Sequence, residues 1–158
     1  MGDLDAAPAV ERRGGVDGAD LRQRRTRDFV ADLLDRAGAA KRVRALPEQE
    51  IAFLIRELGL NDSLDLLRVA APEQIQACID IDCWQGDRLD PDRLQPWLEV
   101  LTELGPANLG AVVAALDHEL LVTFCAQRMR VYDLSCDEPP EEPQGHFYNT
   151  PDRFYTVD

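Results

Sequence analysis

The sequence predicts an all-α fold. Short helices stack into a right-handed-type superhelical array or compact bundle, preceded by a disordered N-terminal arm and followed by a C-terminal β-hairpin. Three observations predict it. Prolines recur at Pro47, Pro72, Pro91 and Pro106, each opening a run of helix-forming residues. Proline suits a first helical position, because its φ is preset and its missing N–H would be unpaired there in any case. The runs behind these prolines carry apolar residues at the helical spacing i, i+3, i+4, i+7. Finally, each run is shorter than the ~12–15 residues that an isolated helix needs to persist in water, so the helices must lean on one another.

Taken in order, residues 1–20 combine Ala, Gly, Asp and Pro without apolar period and read as a disordered arm. The helical domain spans residues 21–134. Phe29, Val30, Leu33 and Leu34 form its first stripe, which ends at Gly38. Residues 39–45 add a turn or two before Pro47. The stripe Ile51, Leu54, Ile55 and Leu58 follows, then Gly59-Leu60-Asn61-Asp62 stops one helix and caps the next. That next helix covers Ser63 to Ala70 and buries Leu64 and Leu67.

The starts at Pro72, Pro91 and Pro106 lead into further helices. The longest stripe is Leu94, Trp97, Leu98, Leu101 and Leu104, and another is Leu109, Val112, Val113 and Leu116. Pro96 lies too deep behind Pro91 to be harmless, which predicts a kink or a start nearer Leu94. A last helix follows Asp117 with Leu120, Leu121, Phe124 and Cys125 inward. Residues 135–145 hold three prolines and several acids and read as an extended linker. In residues 146–158, Phe147-Tyr148 and Phe154-Tyr155-Thr156-Val157 flank a turn-forming Asn149-Thr150-Pro151-Asp152-Arg153, the pattern of a hairpin. A lone hairpin needs something to pack on, so this tail reads as the start of a further domain of a longer protein.

A chain of 158 residues, 45% hydrophobic, suits one domain with its own core. Its net charge of −13 is unevenly spread. Residues 1–44 hold ten basic and eight acidic residues, a net of +2; residues 45–158 hold seven and twenty-two, a net of −15. Such an acidic body disfavours nucleic acid and anionic membrane as partners, since phosphate binding needs the opposite field. Residues 1–20 lack the apolar segment of a signal peptide, and no stretch reaches the ~18 apolar residues of a membrane span. Cys78, Cys83, Cys125 and Cys136 show no paired short spacing; a reducing cytoplasm, with Cys78 and Cys125 as small buried hydrophobes, is the expectation.

No catalytic motif is found, and the expectation is a non-enzymatic protein. Ser63 and Ser135 are the only serines, and neither lies in a G-x-S-x-G elbow. No glycine-rich phosphate loop precedes Lys41. His118-Glu119 begins like a zinc-protease H-E-x-x-H, but position 122 is valine. The densest acidic stretch, Asp80 to Asp92, fails as a calcium-binding EF-hand loop because Trp84, Gly86 and Pro91 occupy the wrong positions. Asp80, Asp82, Asp87 and Asp90 remain as a loose carboxylate set for a divalent cation, or as caps of a helix junction. Arg22, Arg24 and Arg25, in a basic run that ends at Arg27, and Trp84 beside the acidic turn are the candidate contacts for a protein partner.

Residues 45–134 resemble the helical cytoplasmic N-domain of MgtE-type magnesium transporters and, more distantly, the helical arrays of the flagellar motor-switch protein FliG. The resemblance is carried by the x-P-E helix starts at Pro47 and Pro72, by L-D-P-x-x-L at Leu89–Leu94, and by L-D-x-E-L-L at Leu116–Leu121. The chain looks closer still to an uncharacterised bacterial family of longer proteins, with Cys83-Trp84 followed by D-R-L-D-P and an acidic, proline-rich stretch before an aromatic strand. The transporter resemblance implies a regulatory domain whose acids respond to magnesium. Read from the residues, the sequence favours a helical scaffold that binds another protein or another part of a longer parent chain, with magnesium-responsive regulation as the alternative.

Overall fold

The computed structural model describes residues 18–135, 138, 148–152 and 155–157. Eight helices and two small sheets are seen among them. The first helix, α1, runs Gly18–Asp35, so residues 18–20 belong to it and not to the arm; residues 1–17 lie outside the described residues. Its inward line is Thr26, Val30 and Leu33, spaced i, i+4, i+7. Phe29, expected on that line, is 45% exposed, because one residue turns a helix by ~100° and places it on the outer flank. Gly38, at φ 81°, reverses the chain into α2, Ala39–Arg44. From α2 the Arg42 guanidinium donates to the carbonyls of Leu33, Arg36 and Ala37, each at 2.7 Å, and so satisfies the end of α1.

Pro47 stands directly before α3, Glu48–Leu58, and all four predicted stripe residues of that helix are buried. A single 3-10 turn, Asn61–Ser63, shifts the start of α4 to Leu64–Val69. Leu66 and Leu67 therefore face the core, and Leu64 is only half-buried. Pro72, Pro91 and Pro106 are the first residues of α5 (Pro72–Cys83), α6 (Pro91–Thr102) and α7 (Pro106–Ala115). Pro96 does not move the start of α6, which continues through it. The carbonyl it deprives of a partner is that of Asp92; both residues are exposed, so water can satisfy the group. In α7 the inward residue is Val112, followed by Leu116, and Val113 is 42% exposed. The final helix, α8, is His118–Arg128; Leu120 is fully buried, Leu121 and Phe124 partly so, and Cys125 is exposed. Cys83 takes the buried role expected of Cys125.

The helices pack as a compact bundle around α5, which touches α3, α6 and α7, while α1 packs on α3 and α2 on α4. Gln74 fixes the entry of α5. Its side-chain oxygen accepts from the Ala71 N–H at 3.0 Å, and its amide donates to the carbonyls of Leu46 at 3.0 Å and Val43 at 3.3 Å. Between α5 and α6 lies a hairpin, β1 (Trp84–Gln85) with β2 (Arg88–Leu89), turned by Gly86 at φ 68°. Its Leu89 enters the core. The tail forms the expected hairpin: β4 (Tyr148–Asn149) pairs antiparallel with β5 (Tyr155–Val157). A third strand, β3 (Val131–Asp133), pairs with the other edge of β5, so the helical segment ends in a strand of the tail's own sheet. Most of the linker expected at residues 135–145 lies outside the described residues.

Candidate functional site

The helix faces turned away from the core decide where a surface site can form. On α3, Phe53 follows Ile51 by two positions, about 200° round the helix, and cannot join the buried stripe. On α5, Ile81 follows Ile79 in the same way. Phe53 is left 43% exposed and Ile81 53%. Both line a groove of about 500 Å³ formed by α3, α5 and α6. Gly59, at φ 91°, ends α3, and Leu60 bounds the groove beside it. Trp97 of α6 lines it too, with only 3% of its surface open to solvent. Volume and apolar lining are those of a peptide-sized or ligand-sized cleft.

Polar groups at the groove are fixed by one another. The Trp97 indole N–H donates to Asp82 Oδ2 at 2.9 Å, which satisfies a donor that burial would otherwise strand. Arg93 donates from Nη1 to the Asp82 carbonyl at 3.2 Å and to its Oδ1 at 3.4 Å, and its Nε lies 3.6 Å from Asp90. Arg56 lies over the face of Phe53, 5.9 Å from the ring centroid. The Cys78 and Cys83 thiols are both pushed up to about 12, Cys78 by burial and then by Glu48, Cys83 by burial and then by Asp82 and Asp90. Neither has the thiolate character of a nucleophile.

The acids singled out in the sequence are not brought together. Asp80 accepts from Gln76 Nε2 at 2.6 Å, and Gln76 in turn accepts from the Asp117 N–H, joining α5 to the start of α8. Asp82 serves Trp97 and Arg93, and Asp87 sits at the exposed turn of the β1–β2 hairpin. Asp90 caps α6 by accepting from the N–H groups of Asp92 and Arg93. Among the described residues no three His, Cys, Asp or Glu side chains are gathered to hold a metal ion. Of the carboxylate set expected at Asp80, Asp82, Asp87 and Asp90, Asp90 thus caps a helix, Asp82 and Asp90 pair with Arg93, Asp80 is held by Gln76, and Asp87 stands exposed at the turn.

The partner contacts expected from sequence are divided. Arg22 and Arg56 line a second hollow of about 320 Å³ between α1 and α3. Arg24 reaches Asp20 at 3.9 Å, and Arg25 is exposed. Trp84 is half-buried against the core and does not line the groove. Phe53 and Ile81 were legible only as large apolar residues lying off their helices' stripes, and nothing local shows that α3 and α5 bring them to one groove.

Residues 17–158 match the profile of a family described as a family of unknown function (DUF6178). The chain belongs to this family. Comparison with curated proteins and with solved structures gives no match. Among the described residues no single helix is long and apolar enough to cross a membrane; α7 and α8 meet that test only as a pair bent by 102°.

Proposed function

We propose that this chain is a non-enzymatic interaction module whose α3–α5–α6 groove receives a segment of another protein or of a longer parent chain. The observation that carries this reading is the exposure of Phe53 and Ile81 on the rim of a 500 Å³ groove with Trp97 beneath. Leaving two large apolar side chains in water stabilises nothing in the isolated bundle. Phe53 and Ile81 are already about half covered, so hiding the rest offers about half of the roughly 1.5–3 kcal/mol that full burial of such a side chain supplies. Asp82, Trp97 and Arg93 at the groove already satisfy one another, so an occupant strands none of the three.

The test is a comparative capture. The full chain and its Phe53→Asp/Ile81→Asp variant are immobilised, and the proteins retained from a lysate of the source cells are quantified. The reading predicts at least one protein whose retention falls about tenfold or more on the variant, a difference of some 1.4 kcal/mol. The same set retained equally by both would overturn it.

A further inference from the structure

Two arginines line the groove, and they differ. Arg93 is committed to Asp82 and Asp90. Arg56 makes no ion pair among the described residues; it is exposed, and its guanidinium lies over Phe53. It also lines the adjoining hollow, where it meets Arg22 of α1. Arg25 lies one turn beyond Arg22 on α1, on the same face. Neither Arg22 nor Arg25 makes an ion pair among the described residues, whereas Arg27 is taken by Asp62 at 2.8 Å. Residues 18–27 hold four arginines against Asp20 alone, a net of +3 in a chain whose net charge is −13. Arg24 and Arg27 are taken by Asp20 and Asp62, so what the apolar groove opens beside is Arg56 and Arg22, two arginines without an ion pair among the described residues.

The geometry points to an acidic amphipathic protein segment as the occupant of the groove: its apolar side chains cover Phe53 and Ile81, and its carboxylates meet Arg56 and Arg22. This rests on the interaction-module reading above and supplies the partner's chemistry. Arginine pairs with carboxylate in a fixed two-pronged geometry, so Arg56 at the rim gives register to an otherwise undirected apolar contact. A nucleic-acid backbone fits less well, since the groove itself is apolar and its arginines without an ion pair, Arg56 and Arg22, are too few to track a chain of phosphates. A segment with apolar residues on one face and acids on the other matches both features in the manner of helix-in-groove recognition.

The experiment selects a random peptide library, displayed on phage, on the full chain, with counter-selection on Phe53→Asp. The enriched sequence is then synthesised and titrated by fluorescence anisotropy. The proposal expects Leu, Ile or Phe interleaved with Asp and Glu. It expects binding about tenfold weaker when those acids are changed to Lys or when Arg56→Glu is introduced, and unchanged with Arg130→Glu, an exposed residue between α8 and β3 that lines neither hollow. Ile81→Lys repeats the Phe53→Asp arm, and circular dichroism melts of both variants establish that each is folded. An apolar consensus without acids, lost on Phe53→Asp, would overturn the acidic assignment and leave the groove reading standing. No enrichment over the counter-selected pool would overturn both. A dimer in sedimentation that Phe53→Asp dissolves would assign the groove to a second copy and overturn the proposal. A tenfold gain in peptide affinity on Leu4→Asp would assign it to the chain's own opening residues, with the same consequence.

Discussion

Asp82 and Trp97, fifteen residues apart and on different helices, are joined by a 2.9 Å hydrogen bond from the indole N–H to the carboxylate, and this bond fixes α6 against α5 beneath the groove. Asp82→Ala leaves the nearly buried indole donor without its partner. The expected loss is about 1–3 kcal/mol of unfolding free energy, the usual cost of a stranded buried donor. Asp82→Asn keeps an acceptor oxygen and should cost less than half as much. Urea denaturation of the three proteins side by side checks the order, and equal losses for Ala and Asn would contradict it.

Gln74 is the polar counterpart inside the bundle. It joins the start of α5 to the end of α2 and the loop before α3 through two hydrogen bonds, and a third closes the start of α5 on itself. Gln74→Ala is expected to cost about 1–3 kcal/mol, because the Leu46 carbonyl and the Ala71 N–H lose their side-chain partner, while the Val43 carbonyl keeps the Leu46 N–H. Gln74→Glu replaces the donating amide with an acceptor facing two carbonyls and should be at least as harmful. A melt in which Gln74→Glu matches the wild type would rule out the donor role.

Much of this architecture is legible in the sequence because it is written in local chemistry. Pro47, Pro72, Pro91 and Pro106 fall at or directly before helix starts, and Ile51, Leu54, Ile55 and Leu58 form the buried stripe of α3. The errors have local causes too. Phe29 and Val113 are apolar and neighbour a stripe, and one residue's rotation takes each outside. The Trp84–Leu89 hairpin hides in a run of acids, although its Gly86-Asp87 loop is itself a two-residue hairpin signal. The groove is another matter. It exists because three helices separated in sequence meet, and no period within one helix encodes where α3 and α5 place Phe53 and Ile81.

The thiols give a pH prediction. In the folded chain Cys78 and Cys83 titrate near 12, above an ordinary value of 9.0. Between those values the unfolded chain has released protons that the folded chain still holds. The stability these thiols contribute is therefore present in full below pH 9 and lost as pH rises towards 12. Melting temperatures should fall across that window, and Cys78→Ala/Cys83→Ala should flatten the fall. Iodoacetamide at pH 8 should modify Cys125, which is exposed, and spare Cys78 and Cys83 until the protein unfolds. Mass spectrometry of the alkylated peptides reads this directly, and early labelling of Cys83 would contradict the packing.

That no three potential ligands are gathered among the described residues, with Asp82 and Asp90 tied to Arg93 and Asp80 to Gln76, predicts how the chain responds to magnesium. Millimolar MgCl₂ and NaCl of the same ionic strength should shift the melting temperature equally, since both only screen an acidic surface. A magnesium-specific rise, lost in Asp80→Asn/Asp82→Asn, would instead require a bound ion by linkage and would favour the alternative, cation-responsive regulation.

The central claim is that the groove beside Phe53 is occupied by a protein segment in the cell. The most direct measurement places the photo-reactive residue benzoylphenylalanine at position 53 of the full chain, with a second protein carrying it at Asp65, whose side chain is 75% exposed on α4. After irradiation in living cells, cross-linked species are resolved and their peptides identified. The account predicts a discrete adduct from position 53 whose cross-linked peptide is apolar and acidic, and which the Asp65 position does not give. Identical diffuse labelling from both positions would contradict it.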